Sequence, residues 1–170
     1  MRFLSMIFLR MTAIAMIFGV VGTSAAAQSA LSGRDGQLVA AYQFAIQELY
    51  DAKAVCLTSG GTFRLLSDQP TVAGPGVLEG VVAELQSRRL IVYSATNCTF
   101  RGEVLTTNSG GRSASLLSVD LNEPSATGDI LVEADFWGGF GVCSGHTFVL
   151  SRRGDAYTVD KSSVVRTMIC

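Results

Sequence analysis

Few side chains in this sequence could do chemistry, and most of them lie in its C-terminal third. His146 is the only histidine, and imidazole is the side chain that titrates near neutrality without perturbation. Asp135 and Glu133 precede it in an alternating stretch, so one hypothesis is a His-carboxylate pair that acts as a general base or anchors a ligand. This pair requires a carboxylate on the adjacent strand that faces the same side as His146. The alternative is a hydrogen-bonded or surface histidine with a structural role.

Cys143 and His146 lie three residues apart, which raises the question of a nucleophile and its base. Residues at i and i+3 of one strand project to opposite faces, whereas a catalytic pair needs an aligned thiolate and imidazole. A disulfide at Cys143 would also remove the nucleophile. A single imidazole without carboxylates at ligand spacing is a poor metal site. We therefore expect neither a metal nor a cofactor.

Two aromatic residues, Trp137 and Tyr157, complete the ligand-pocket candidates together with His146, Asp135 and Glu133. Both aromatic side chains are interpreted first as packing residues. An exposed Trp137 among polar neighbours would instead favour a binding role.

The glycine-rich stretch from Gly138 to Gly145 does not fit a nucleotide-binding loop. Gly139-x-Gly141 lacks the third glycine at the required spacing and leads into a strand pattern, so no helix N-terminus is available for phosphate. The stretch instead predicts a bulge or a bent connection between strands.

The chain contains four cysteines, namely Cys56, Cys98, Cys143 and Cys170. An even number of cysteines in an exported chain indicates two disulfides. Three pairings are possible, and the sequence does not choose between them. Their spacings are too wide for a CxxC redox site or a zinc clip. The alternative for one of them is a free nucleophilic thiol.

Residues 1–27 have the three parts of a secretory signal peptide. Arg2 and Arg10 precede an apolar run from Met11 to Val21, and Ala25-Ala26-Ala27 follows with small residues. The run is shorter than the roughly 20 residues that span a bilayer. We expect cleavage after Ala27, a periplasmic or secreted protein, and no stable membrane span after cleavage. The alternative is an uncleaved signal anchor.

Removal of the leader leaves a body with a formal charge of −3 when His146 is neutral. Its basic residues are scattered, with only the short pairs Arg88-Arg89 and Arg152-Arg153. Nucleic-acid binding needs a basic stripe that contacts phosphates. We therefore expect no nucleic-acid partner.

Helical spacing is confined to the first half of the exported chain. Residues 28–36 are small and polar and predict a flexible lead-in. Apolar residues at spacings of three and four then predict a helix from Gln37 to Val55, with Asp35 as a possible cap. Leu57 to Gly76 is rich in loop-forming residues. A second helix, with a short strand as the alternative, is predicted from Val77 to Arg88.

Seven short runs rich in β-branched and aromatic residues follow Arg89. They are Leu90–Ser94, Cys98–Thr106, Ser113–Leu121, Asp129–Phe140, His146–Ser151, Ala156–Asp160 and Ser163–Ile169. Helices first and strands afterwards predict a single α+β domain over 37–170, in which one or two helices pack on a curved antiparallel sheet of five to seven strands.

Strand alternation predicts which side chains share a face of the sheet. Val132, Ala134 and Phe136 should point away from Glu133, Asp135 and Trp137. In the next strand, His146, Phe148 and Leu150 should share one face.

The C-terminal third resembles the ending of uncharacterised exported bacterial proteins and, more distantly, the final hairpins of the nuclear transport factor 2-like, cystatin-like cone. The resemblance is carried by Val132–Trp137, Gly138–Gly145, Phe148–Leu150 and Arg152–Val159. Tyr157 departs from the pattern, since such proteins more often carry Trp there. The resemblance implies a helix-wrapped curved sheet with a pocket, and it implies no particular activity.

This chemical inventory favours a small, exported, disulfide-bonded binding or envelope-associated module over an enzyme. The sequence does not identify its partner, for which an envelope protein and a small ligand are the two candidates. The alternative is a cofactor-free enzyme of the cone type that uses His146 with Asp135 or Glu133. A third possibility is a partner-binding or inhibitory protein that uses an exposed sheet edge.

Overall fold

The computed structural model describes residues 33–59, 76–102, 104–139 and 141–169. The predicted leader and Cys170 lie outside the described residues. In chain order the elements are α1 (Arg34–Phe44), a π-helical turn (Ala45–Tyr50), β1 (Val55–Ser59), α2 (Glu79–Ser87), β2 (Val92–Ser94), a 3-10 turn (Ala95–Asn97), β3 (Cys98–Arg101), β4 (Val104–Thr107), β5 (Ser115–Leu121), β6 (Ile130–Gly139), β7 (Val142–Arg153) and β8 (Ala156–Ile169).

The first helix is displaced from its predicted bounds at both ends. It begins at Arg34, so the predicted lead-in is wrong for residues 34–36, and Asp35 lies in the first turn rather than at the cap. There its negative charge lies near the positive end of the helix dipole. The helical path ends at Tyr50 because Asp51 has a left-handed φ of 45°. Asp adopts this conformation more readily than most residues.

Val55 belongs to a strand that the sequence pattern did not reveal. β1 is buried along nearly its whole length, and it lies between two neighbouring strands. A strand buried on both faces lacks the alternation by which strands are recognised. The predicted loop Leu57–Gly76 is wrong for Leu57–Ser59, which belong to β1, and most of its remaining residues, 60–75, lie outside the described residues.

The α+β class is confirmed, with two helices and a curved six-stranded sheet. The strand order is β2-β1-β5-β6-β7-β8. The predicted antiparallel arrangement is wrong for β1, which pairs in parallel with both β2 and β5. The second predicted helix is present as α2, and it provides the crossover that a parallel β1-β2 pair requires. Neither helix in the described part of the chain is long and apolar enough to cross a membrane.

Two of the predicted strand runs are divided differently in the structure. Cys98–Thr106 contains a turn at Gly102, so it forms the separate two-stranded hairpin β3-β4. Ala156–Asp160 and Ser163–Ile169 instead belong to one strand, β8, whose register shifts twice against β7. The glycine-rich stretch contains a bulge between Trp137 and Gly139 and a short turn before Val142, which confirms its prediction as a bent connection.

The six-stranded sheet has two different faces. The helix face packs against α1 and α2 and carries the larger core, which includes Leu57, Leu117 and Phe148. The far face is the opposite side; at one end its residues Cys56, Leu116 and Trp137 pack with residues of the β3-β4 hairpin. The register pairs Ala134 with His146, Val132 with Phe148 and Ile130 with Leu150, which confirms the predicted faces.

Candidate functional site

His146 lies on the helix face, and the two candidate carboxylates lie on the far face. Its cross-strand partner on β6 is Ala134, whereas Glu133 is opposite Thr147 and Asp135 is opposite Gly145. Directly opposed residues of an antiparallel pair project to the same face. The sheet therefore separates His146 from both carboxylates and does not form the hypothesised His-carboxylate pair.

His146 contacts the hydroxyl group of Tyr50, the last residue of the π-helical turn. The Tyr50 ring stacks on Phe136 with a centroid separation of 4.4 Å. Its hydroxyl oxygen lies 2.9 Å from the carbonyl oxygen of Ala134 and 3.1 Å from Nδ1 of His146. The phenol thus fixes the imidazole against the sheet. π-Helical turns are rare and often occur at functional sites.

The surroundings of both members of this pair favour the neutral form of each side chain. Burial, and then the negative charge of Asp135, raise the pKa of Tyr50 above its ordinary value. Partial burial, and then the nearby Arg166 guanidinium, lower the pKa of His146. Arg166 is its cross-strand partner on β8. The pair is therefore an uncharged hydrogen-bonding contact between the π-helical turn and the sheet.

The far face carries a row of three residues across β5, β6 and β7. Ser118 is opposite Asp135, and Asp135 is opposite Gly145. A Cβ atom added at Gly145 would lie 2.7 Å from Oδ1 of Asp135 and 2.9 Å from Oγ1 of Thr167. The absence of a side chain at Gly145 therefore makes room for the Asp135 carboxyl. Gly in a strand often marks such a close approach.

The adjacent row adds two more carboxylates, because Asp120 is directly opposite Glu133. Like charges at opposed positions repel each other. Burial is the largest cause that raises the pKa of Asp135, followed by the charges of Glu133 and Asp120. Asp120, Glu133 and Asp135 together form an acidic cluster on the far face.

The two aromatic candidates have packing contacts. Trp137 is only 5% exposed and meets the Phe100 ring edge-on at 5.2 Å. The exposed Trp137 that would have favoured binding is thus not observed. Tyr157 is half-buried on the helix face, where its hydroxyl accepts a hydrogen bond from Nε2 of Gln37 at 3.2 Å.

The cysteines act as cross-links. Cys56 and Cys98 form a disulfide between β1 and the start of β3. Cys143 is also disulfide-bonded, which excludes it as a free nucleophile beside His146. Cys170, the fourth cysteine of the chain, lies outside the described residues. Among the residues that the structure describes, no group of three or more His, Cys, Asp and Glu side chains is arranged to hold a metal ion.

Asp135→Asn is expected to stabilise the protein at pH 7. Because the folded-state pKa of Asp135 is raised, the wild-type stability falls as pH rises from the unfolded-state pKa through the folded-state value. The variant has no carboxyl group that loses a proton at this position, so its free energy of unfolding does not fall in this way. The difference from wild type should grow as pH rises between the two pKa values and vanish in acid. The side chain is partly exposed to solvent, so we expect a gain below about 1 kcal/mol. Urea unfolding at several pH values measures it.

Asp129→Asn is the control with the opposite sign. Hydrogen bonds from Ser151 and Thr127 lower the pKa of Asp129. Its stabilising contribution is present above the unfolded-state pKa and is lost as pH falls through the folded-state value. This variant should therefore be destabilised at neutral pH and approach wild type in acid. If the stability difference from wild type changed with pH in the same direction for both variants, the opposite pKa shifts of Asp135 and Asp129 would be contradicted.

Sequence reasoning missed Tyr50, Ser118, Asp120, Gly145 and Arg166. Tyr50 comes at the end of a helix and gives no periodic signal. Alternation along β5 places Ser118 and Asp120 on one face, but their proximity to Asp135 depends on the register between strands, which a single sequence does not contain. Gly145 offered the one local signal, as a glycine inside a strand pattern.

Comparisons of the chain with protein-family models, curated proteins and solved structures found no match. The resemblance of the C-terminal third to the nuclear transport factor 2-like cone therefore stays a prediction.

Proposed function

We propose that the protein is an exported, disulfide-bonded module that binds a positively charged ligand or partner through the far face of its sheet. Export is supported by the Cys56-Cys98 disulfide and by the second disulfide at Cys143, since disulfides persist mainly in oxidising compartments. The predicted leader agrees with this location. The bacterial periplasm and the extracellular space both fit these observations.

The observation that carries the binding proposal is the exposed combination of charge and apolar surface on the far face. Beyond the end that packs with the hairpin, Leu131, Val165 and Met168 are 44%, 56% and 37% exposed. Leu131 lies on β6, and Val165 and Met168 lie on β8. The strand register places all three beside the acidic cluster. Exposed apolar residues grouped together often mark interaction sites. The adjoining negative charge favours a partner that carries positive charge.

The sheet edge supports binding less well than the face. Of the two edge strands, β2 has only 3 residues, whereas β8 is 14 residues long. Its register shifts interrupt the regular pairing that an added strand would continue. Bulges of this kind are a common protection of edge strands.

The alternative of a cofactor-free enzyme required His146 to pair with Asp135 or Glu133, and the strand register does not bring them together. His146 contacts Tyr50 on the helix face, and the acidic cluster lies on the far face. A general base formed by His146 with Asp135 or Glu133 would need both groups on one side.

Site-specific cross-linking in cells tests the binding surface. We expect a photoreactive amino acid at Val165 to give a discrete cross-linked product. The same amino acid at Ile91, which is 49% exposed before β2, is the matched control and should give little product. Glu133→Lys should lower the yield at Val165 several-fold because it reverses a charge of the acidic cluster. Equal yields at both positions, or an unchanged yield in Glu133→Lys, would refute this surface.

Export is tested separately by mass spectrometry of the oxidised protein. The intact mass should correspond to residues 28–170, and non-reducing peptide maps should contain the pairs Cys56-Cys98 and Cys143-Cys170. A retained leader would support the anchored alternative. More than about one free thiol per chain would contradict residence in an oxidising compartment.

A further inference from the structure

Ser118 has a buried hydroxyl group without a hydrogen-bond partner. Its residue is 2% exposed, and its Oγ is the one unpartnered buried side-chain oxygen or nitrogen in the described part of the chain. Most buried polar atoms in proteins are hydrogen-bonded, and an exception calls for an explanation such as a missing ligand.

The strand register places this hydroxyl beside the acidic cluster. Ser118 is directly opposite Asp135, and the next row on the same face contains Asp120 and Glu133. Beyond Asp135, Gly145 leaves a space into which the carboxyl fits, close to Thr167. The row thus contains an unpartnered hydroxyl and a carboxyl that fills the space left by Gly145.

None of the three acidic-cluster residues takes part in a salt bridge in the described part of the chain. The two described salt bridges are Arg88-Glu84 and Lys161-Glu48. Glu133 accepts a hydrogen bond from the neutral amide of Asn122 at 3.4 Å, which leaves its charge in place. The acidic cluster therefore contains three carboxyl groups whose negative charge a bound cation would stabilise.

We propose that Ser118, Asp135 and their acidic neighbours Asp120 and Glu133 form a subsite for a primary ammonium group on an aliphatic chain. This inference rests on the proposed function and names the chemistry of its ligand. An ammonium group is a compact charge with three donors and no acceptor. The carboxylates and the Ser118 hydroxyl supply acceptors, and Met168 and Val165 offer apolar surface to the aliphatic chain.

Two sources present this chemistry, namely a free alkylamine and a lysine side chain of a peptide. A divalent metal is a poorer fit, because the described acidic residues do not form a group with metal-binding geometry. A quaternary ammonium ion carries the charge but lacks the N–H donors that would satisfy the Ser118 hydroxyl.

The test is a 1H-15N NMR titration of the oxidised exported chain with n-butylammonium chloride. A second titration uses the peptide acetyl-Leu-Lys-Leu-amide, and tetramethylammonium chloride at equal ionic strength is the control for charge alone. We expect saturable shifts at the amides of Ser118, Asp135 and Gly145 with butylammonium, with the peptide, or with both. Shifts with the peptide alone identify a lysine side chain as the source, and shifts with butylammonium establish that a free amine is sufficient.

Three variants distinguish an effect on amine binding from an effect on the stability of the fold. Asp135→Asn should weaken binding about tenfold or more, because a hydrogen bond to a charged group is lost. Ser118→Ala should weaken it about threefold or more without lowering the stability of the unliganded protein, since the hydroxyl has no partner to lose. Ser115→Ala, a serine on the same strand and the opposite face, should bind like wild type.

Three outcomes would overturn the ammonium subsite. They are no saturable shift with either amine, equal shifts with tetramethylammonium, and tighter binding of Ca²⁺ alone at the same residues. The cross-linking result at Val165 is measured independently. A failed amine titration with a specific cross-link at Val165 would reject the ligand chemistry and leave the binding surface in place.

Discussion

Replacing Cys56 and Cys98 together by alanine is expected to lower the free energy of unfolding by about 4 kcal/mol. The disulfide closes a loop with a sequence separation of 42 residues. In the loop-closure model, its loss raises the conformational entropy of the unfolded chain, which stabilises the unfolded state by about 4 kcal/mol. Chemical denaturation of both proteins under oxidising conditions measures the difference. A loss of this size is a large share of the roughly 5–15 kcal/mol that typically stabilises a domain.

The same variant should loosen the hairpin that covers one end of the far face. Trp137 is the only tryptophan in the chain, and it packs against Phe100 of β3. Once the cross-link from β1 to the hairpin is lost, we expect the Trp137 fluorescence emission of the folded protein to shift to longer wavelength.

Val104→Ala is the control, since Val104 lies in the same hairpin, is 47% exposed and makes no cross-link. It should change the stability by less than about 0.5 kcal/mol. A loss below about 1 kcal/mol in the double cysteine variant, with unchanged Trp137 emission, would mean that packing alone holds the hairpin.

Phe148→Ala should destabilise the protein by about 3–5 kcal/mol. Phe148 is fully buried on the helix face, and its ring lies 5.0 Å from that of Phe44 at the end of α1. The smaller side chain removes apolar contacts and leaves a cavity between helix and sheet. Urea unfolding monitored by circular dichroism measures the loss.

Val149→Ala tests the assignment of the two faces on the same strand. Val149 is the next residue of β7, is partly buried, and lies on the far face opposite Leu131. Because no helix of the described chain packs there, the substitution should cost about 1 kcal/mol or less. A cost equal to that of Phe148→Ala would contradict the placement of the helices on the face that carries His146.

The sequence predicted the parts of the fold that depend on local pattern. Alternation along β6 separated Ala134 from Asp135 correctly, and alternation along β7 grouped His146 with Phe148 and Leu150, because the side-chain period of a strand is fixed by its backbone. Turn residues such as Gly154 marked the hairpin between β7 and β8. The parallel strand β1 was missed because its burial on both faces removes that pattern.

The candidate site was only partly accessible to the same reasoning. Asp135 and Glu133 were identified as groups that could do chemistry, but they were considered as partners of His146. Their neighbours Ser118 and Asp120 come from a strand more than ten residues earlier in the chain. The proximity of such residues depends on strand order and register, which arise from packing over the whole sheet.

The sequence alone determined which reactive side chains this protein has, namely one histidine, scattered charges and four cysteines. Its local patterns also predicted two helices followed by a β-rich body. Tertiary structure decided how those side chains are distributed. It placed His146 with Tyr50 under the helices and gathered Asp120, Glu133 and Asp135 around Ser118 on the far face. The physical reason is that residue type and local periodicity are written in the chain, whereas the pairing of distant strands is selected by the burial of their apolar faces.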